Sequence, residues 1–482
     1  MGSFQDYEAY DATGLAALVA KGDVSANELL DAALSRVEAL NPKLNAIAGL
    51  AVETARKAIE GGLPEGPFHG VPFLLKDLGA EAIGYPSNSG SVLFKGTSHQ
   101  YDSEIVRRLK ATGLVIFGRT TTPELGVGAV TEAKVYGGPT RSPWHLDHTA
   151  GGSSGGSGAA VASGILPAAH GSDGGGSVRI PAASSGLFGM KATRARLPDG
   201  PASGEGWAGL TIAGFLTRSV RDSAALLDAT SGSDLGAPYW APPLKGTFNQ
   251  AIQRPPQRQK IAFSTHSFTG EPLHPDCRTA VEAAAKLLAD LGHHVEEASP
   301  QFELMPLMQA WATIVACGTA LAVKEKVEAR GRSLDPDEVE AVTRGAIALS
   351  KSISGGDYLA SVRKVHRFGR ELAAFFENYD LLLTTTLAEP PAKIGRFAPD
   401  NEDFQDYRLG PTGLLPYSPF TAVFNATGQP AMSVPLYWNK DGLPIGIHVA
   451  GRFGDDETLM ALAAELEHAS PWFDRRPPIR GG

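Results

Sequence analysis

Residues 149–181 read TAGGSSGGSGAAVASGILPAAHGSDGGGSVRIP. Glycine costs backbone entropy on folding, so two dense glycine–serine clusters in an apolar, foldable context point to unusual dihedrals or to backbone approaching a ligand. A flexible linker would not run at once into AAVASGIL, which has helical character, or into the strand-like LPAAH. Ser153 and Ser177, 24 residues apart, therefore lie at the two ends of a helix-and-strand course. In an α/β protein such a course brings both loops to one sheet edge, where sites form. Gly174, Gly175 and Gly176 precede Ser177 and allow consecutive backbone N–H groups to point one way, a geometry that binds an oxyanion. An ordinary glycine turn carrying a solvated serine fits the same letters.

Upstream, FHGVPFLLKDLGA holds a short apolar run, Val71 to Leu75, that reads as a buried strand ending in Lys76-Asp77. Lysine is seldom buried without a partner, and desolvation lowers its pKa until it can accept a proton near neutral pH. A snorkelling Lys76 paired with Asp77 is the plainer alternative. The following segment alternates a helix, Glu104 to Ala111, with a strand, Leu114 to Gly118, and Thr122 then caps a new helix with Pro123 at its first position. Near the start, Ser25 and Glu28 form a capping box before Leu29, Leu30, Ala33, Val37 and Leu40, and Asn41-Pro42 ends that helix. This amphipathic pair packs outside the main body or serves as a dimerisation arm, which leaves a homodimer open.

Downstream, a helix is capped at Ser219, and a strand–helix unit follows at KIAFSTHS and RTAVEAAAKLLADLG. Met305 to Ser350 reads as a helical stretch and Tyr358 to Asn378 as a helix before the strand LLLTTT. Ala431–Trp438 and Pro444–Gly451 pair as a hairpin around Asp441-Gly442, and Glu457–His468 is a final helix. Helix and strand in this order give an α/β sheet covered by helices. No repeat or linker divides the chain, so residues 1–482 are expected to form a single domain.

The 482 residues carry a net charge of −9 and 43% hydrophobic content, which describes a globular protein rather than a disordered one. No block of Lys or Arg stands out, so nucleic acid is not an expected partner. Cys277 and Cys317 form no CxxC pair, which excludes a disulfide framework and suggests a reducing compartment. No run approaches 18 apolar residues, so no membrane span is expected. The N-terminus shows no secretory pattern, and Asp6 spoils a myristoylation signal, so the expected location is cytoplasmic. GxSxG occurs at Gly151–Gly155 but lacks the buried strand that a nucleophile elbow needs. No P-loop, HExxH or EF-hand pattern occurs, so no metal site is expected.

Six blocks in order resemble the amidase signature enzymes: GVPFLLKD at 70–77, GRTTTPELG at 118–126, GGPTRSPW at 137–144, GGSSGGSGAAVASG at 151–164, the stretch 171–196, and FNATGQPAMSVPLYWNKDGLPIGIHVAGR at 424–452. The resemblance implies the amidase-signature fold, a central mixed β-sheet covered by helices on both faces. Its motifs cover a core of about 65–230 and 420–470, and residues of about 230–420 carry the variable pocket. It implies hydrolysis of a small-molecule amide without a cofactor, through a Ser–cis-Ser–Lys triad. Carried over, Ser177 is the nucleophile, Ser153 follows a cis bond, Lys76 is the base, and Gly174 to Ser177 supply the oxyanion hole. Ser154, Asp173 and Arg179 support the site, and Trp207 and Tyr136 are candidates for the substrate pocket. Within the family the chain is similar to the branch acting on nylon-type cyclic oligoamides, aryl amides and carbamates. The alternatives are a glutaminase-type subunit of a tRNA-dependent amidotransferase and a serine esterase. Gly174 stands where the family often has a larger residue, which would widen the acyl side of the pocket.

Overall fold

A computed structural model describes residues 4–255 and 257–481. Its strands, in chain order, are β1 (Ile47–Leu50), β2 (Pro72–Lys76), β3 (Val115–Thr120), β4 (Arg141–Ser142), β5 (His145–Thr149), β6 (Ala168–Asp173), β7 (Phe188–Lys191), β8 (Ile212–Thr217), β9 (Lys260–Phe263), β10 (His294–Glu297), β11 (Leu381–Thr385), β12 (Ala431–Trp438) and β13 (Pro444–Gly451). Eight of them form one sheet in the order β10-β9-β11-β13-β12-β7-β8-β6. β9 pairs in parallel with β10 and β11, whereas β11 to β13, β13 to β12 and the pairs out to β6 are antiparallel, so the sheet is mixed.

The sequence dictates burial on both faces. β11 and β13 are buried along their whole length. Side chains alternate across a strand, so Leu381 and Leu383 join one apolar cluster while Leu382 joins the other. Strands covered twice read as near-continuous apolar runs, and LLLTT does so. A smaller sheet, β1-β3-β2, lies beside the large one, with β2 against the edge strand β6. That contact brings the end of β2, where Lys76 sits, to the end of β6, where the second glycine–serine cluster begins.

Several expectations need correction. The helix Ala26–Leu44 has the expected capping box but runs through Pro42 and ends at Asn45, in left-handed conformation at φ 50°. A proline so close to the end removes a single N–H from the last turn, and the Asn41 side chain caps the exit by accepting from the N–H groups of Ala46 and Ile47. Leu29, Leu30, Leu40 and Leu44 of this helix are buried in the main core. After Thr122-Pro123 there is only a 3-10 turn, Glu124–Gly126, with Leu125 at φ 50°. Tertiary bonds override the local cap pattern: Leu125 N–H donates to Ser89 O at 2.9 Å, and the Glu124 carboxylate accepts from Glu340 N–H at 2.7 Å. The stretch 305–350 is two helices, Leu304–Arg330 and Ala341–Ser350, broken at Gly331 with φ 70°. By length and composition Leu304–Arg330 is apolar enough to cross a bilayer, contrary to expectation. Its apolarity has a place in the fold, because Leu307, Met308, Trp311 and Val315 are buried in the second core cluster.

Candidate active site

Lys76 ends β2 and is fully buried. Its Nζ lies 2.6 Å from Ser153 Oγ and donates to Ser172 Oγ at 2.9 Å. Burial pushes the ammonium down to about 7, with the Asp173 carboxylate acting in the opposite sense. Lys76 is not paired with Asp77, whose carboxylate accepts instead from Asn88 N–H at 2.9 Å and Tyr136 Oη at 2.5 Å. The backbone beside the amine is clamped. Buried Arg119 donates to the carbonyls of Lys76, Ala80 and Tyr85, and Lys76 N–H donates to His170 Nδ1 at 3.3 Å. Burial, then the Lys76 charge, pushes His170 down to about 3, so it stays neutral as an acceptor.

The first glycine–serine cluster forms a bend before the helix Gly155–Ala162, and the Gly152–Ser153 peptide is cis. Its glycines are set by close packing: a Cβ on Gly156 would lie 2.3 Å from Thr121 N. Ser154 bridges the two clusters, with its N–H donating to Ser177 O at 3.2 Å and its Oγ donating to Ser172 O at 3.3 Å. Among the described residues Ser153 Oγ and Ser177 Oγ do not hydrogen-bond to each other, although both line one cavity. Such catalytic contacts tighten when substrate closes the gap.

The second cluster is a turn fixed from three sides. A Cβ on Gly174 would meet Trp207 at 2.9 Å, one on Gly175 would meet Trp311 at 2.9 Å, and one on Gly176 would meet Thr421 at 2.4 Å. Trp311 Nε1 donates to Gly174 O at 3.1 Å, and Thr421 Oγ1 donates to Gly175 O at 2.6 Å. Because N–H and C=O of a trans peptide point in opposite directions, anchoring Gly174 O turns the Gly175 N–H away from Trp311. Gly176 N–H donates to Asp173 Oδ1 at 2.8 Å, which removes it from the expected oxyanion set. Among the described residues the N–H groups of Gly174, Gly175 and Ser177 have no acceptor in the protein.

Asp173 and Arg179 are both fully buried and paired through Arg179 Nε and Nη2 at 3.0 and 2.9 Å. Burial alone would raise Asp173, but the Arg179 charge and hydrogen bonds from Arg179 and Asn425 hold it well below the usual carboxylate range. Asn425 Nδ2 also donates to Asp173 O, and Arg179 reaches Asn425 Oδ1 at 2.7 Å. The pair is therefore the fixed post of the Ser177 turn.

Two connected chambers meet at Ser177. The larger one, about 250 Å³, is lined by Leu78, Ile105, Ser153, Trp207, Asp199 and Glu81 among others. The smaller one, about 50 Å³, is lined by Gly175, Ser177, Trp207, Trp311 and Arg408 among others. Trp207 separates them, presented by three successive left-handed residues, Trp207, Ala208 and Gly209, at φ 49°, 52° and 76°. Tyr136 lines neither chamber. It lies behind the Lys76-Asp77 turn, where its Oη accepts from Gly90 N–H at 3.1 Å.

Gly174 does not widen the pocket as expected, because the Trp207 ring occupies the space a side chain would take. The same ring sits against Gly318, where a Cβ would fall 2.4 Å from Trp207 Cδ1. Gly174→Thr should therefore displace the indole and lower kcat/KM by about tenfold or more, whereas the same change in a Trp207→Ala background should cost much less. Equal losses in both backgrounds, measured on one aryl amide, would show that the two positions are independent.

Sequence reading missed Ser172, His170, Asn425, Trp311 and Thr421. His170 and Ser172 carry a usable signal, since they alternate on β6 and so share the face toward Lys76. The others arrive from elements more than 130 residues away and have no local signal. Among the described residues no group of three or more His, Cys, Asp or Glu is placed to hold a metal ion.

Comparison with known proteins places this geometry. A sequence model of the family described as Amidase matches residues 28–460. The chain is 37% identical over 480 residues to the 6-aminohexanoate-cyclic-dimer hydrolase of Paenarthrobacter ureafaciens, covering 97% of this chain and 96% of that protein. A solved structure of 6-aminohexanoate cyclic dimer hydrolase complexed with substrate matches with a TM-score of 0.92 at 36% identity, over 99% of this chain and 100% of that one. A bacterial aryl acylamidase of the amidase signature family matches with a TM-score of 0.85 at 28% identity, over 96% of each chain.

Proposed function

The chain belongs to the amidase family and hydrolyses amides, and on that premise we propose that it is a serine amidohydrolase working through an acyl-enzyme on Ser177. The observation that carries this reading is the buried Lys76 amine, 2.6 Å from Ser153 Oγ and lowered to about 7. A neutral amine there takes the proton of Ser153, which takes the proton of Ser177 as its Oγ attacks the amide carbon. The N–H groups of Gly174, Gly175 and Ser177 are the donors for the oxyanion that forms. Collapse of the tetrahedral adduct breaks the C–N bond, and the relay run in reverse protonates the departing amine. Water, activated by the same relay, then releases the carboxylic acid and restores Ser177.

The substrate class follows from the chambers. Trp207, Trp311, Leu78 and Ile105 offer flat apolar walls on both sides of Ser177, which suit a compact amide such as an aryl acylamide, a cyclic oligoamide or a carbamate. The test is a panel of these with aliphatic amides and glutamine, given to the isolated chain. Turnover of aryl or cyclic amides without a partner protein is the expected result. Turnover of glutamine alone would favour the amidotransferase-type glutaminase, and of esters alone the esterase.

The pH dependence has a defined sign. Lys76 must be neutral to act, so log kcat/KM should fall with unit slope as pH drops below about 7, whereas a flat profile down to pH 5 would contradict a neutral lysine. Asp173 and His170 do not titrate in that window. Lys191 is also pushed down to about 7 by burial, but its Nζ donates to Ala192 O away from both chambers, so Lys191→Met should leave the inflection in place.

A further inference from the structure

Among the described residues lining the smaller chamber one side chain is charged, Arg408, on the short helix Phe404–Leu409. Its guanidinium carbon stands 4.5 Å from the ring centre of Trp311. Ile180, Met308, Leu409, Leu414 and Leu415 are among the other lining residues, so the charge borders a largely apolar recess. Other arginines drawn into this interior have protein partners. Arg119 donates to three carbonyls, Arg179 to Asp173 and Asn425, Arg194 to three carbonyls, and Arg196 to Asp456 and Pro242 O. Among the described residues Arg408 makes no hydrogen bond and no ion pair. Burial pushes it down to about 10, against the neighbouring Tyr407, so it stays cationic at neutral pH.

Arg408 is only partly buried, has no counter-ion among the described residues, and lines a cavity that Ser177 also lines, so it is open to an anionic ligand there. Guanidinium backed by an aromatic face, with its fork of N–H donors free, is the group suited to bidentate recognition of a carboxylate. We propose that Arg408 is a specificity-determining residue that binds a carboxylate on the substrate, so that the preferred substrates are amides whose half in the smaller chamber ends in a carboxylate. This class comprises N-acylated amino acids and half-amides of dicarboxylic acids, and the inference rests on the amidohydrolase reading above. The far end of the cavity has the opposite character. Glu81 and Asp199 both line the larger chamber, and neither is in an ion pair among the described residues. Burial, then the Asp234 charge, pushes Asp199 up to about 7, and no lysine or arginine is among the residues lining that chamber, so it offers a carboxylate no cation to compete with Arg408.

The test uses pairs of anilides that differ only in carboxylate against the isosteric methyl ketone: 4-carboxyacetanilide with 4-acetylacetanilide, and succinanilic acid with levulinanilide. The carboxylate lies on the amine half in the first pair and on the acyl half in the second. In the wild-type protein the carboxylate member of at least one pair should have a kcat/KM roughly 10- to 100-fold above its ketone. In Arg408→Met that ratio should fall to about one or below, whatever the absolute rates. Arg408→Lys, which keeps the charge and loses the fork, should retain part of it. A wild-type ratio of one or less in both pairs, or a ratio that Arg408→Met leaves unchanged, overturns the proposal. Calorimetric binding of the same pairs to Ser177→Ala protein separates the two readings. Carboxylate preference in binding without turnover of any anilide by the wild type would leave Arg408 in its role and defeat the amidohydrolase reading. Turnover of the ketones without preference would do the reverse.

Discussion

Ser177→Ala should lower amide turnover by about 10⁴- to 10⁶-fold while leaving the folded protein as stable as the wild type. The rate loss has the size seen when the nucleophile of a hydrolase triad is removed, because every covalent step needs the missing oxygen and the remaining groups act as a unit with it. Stability should be spared for a local reason. Among the described residues the Ser177 hydroxyl makes no hydrogen bond to the protein, whereas the turn that carries it is held by backbone contacts to Asp173, Trp311 and Thr421. Measured together, kcat and the melting temperature check both halves. Retained turnover, or a collapse of the fold, would contradict the role given to Ser177.

The second large effect is expected at Lys76. Lys76→Met keeps an unbranched side chain at this buried position and removes the base, and amide turnover should fall by about 10²- to 10⁴-fold. Ester substrates of the same shape should lose less, since an alkoxide leaving group needs less protonation than an amine. Equal losses on both would argue that Lys76 only positions the serines. The variant should also differ in its stability profile. A lysine at about 7 in the folded state binds fewer protons than the unfolded chain between that value and its ordinary 10.5, so it makes stability rise with pH across this window. Lys76→Met should lack that part of the rise when unfolding is followed from pH 7 to 10.

Much of the site was legible because its chemistry is written in short range. Ser153, Ser177 and the glycines around them lie within one stretch of 33 residues, and the helix and strand between them are set by local pattern. Lys76 was legible through the oddity of a lysine closing an apolar strand. What failed depended on partners distant in the chain. Gly174 was judged by the side chain it lacks, yet the space belongs to Trp207, itself braced by Gly318 and Trp311 from the helix Leu304–Arg330. Gly176 was counted as an oxyanion donor because it sits in the run, and only the folded position of the Asp173 carboxylate shows where its N–H goes. Thr122-Pro123 has the letters of a helix cap, but hydrogen bonds to Ser89 and Glu340 claim that backbone. In each case tertiary contact overrode a sound local expectation.

The role of Ser177 as nucleophile is tested most directly by intact-protein and peptide mass measurement after reaction with a fluorophosphonate, which phosphonylates an activated serine with loss of fluoride. A single adduct is expected on the peptide containing Ser177, forming more slowly as pH falls below about 7 and absent from Ser177→Ala protein. An adduct on Ser153 instead, or none on folded protein that is turning over amide, would contradict the mechanism proposed for this chain.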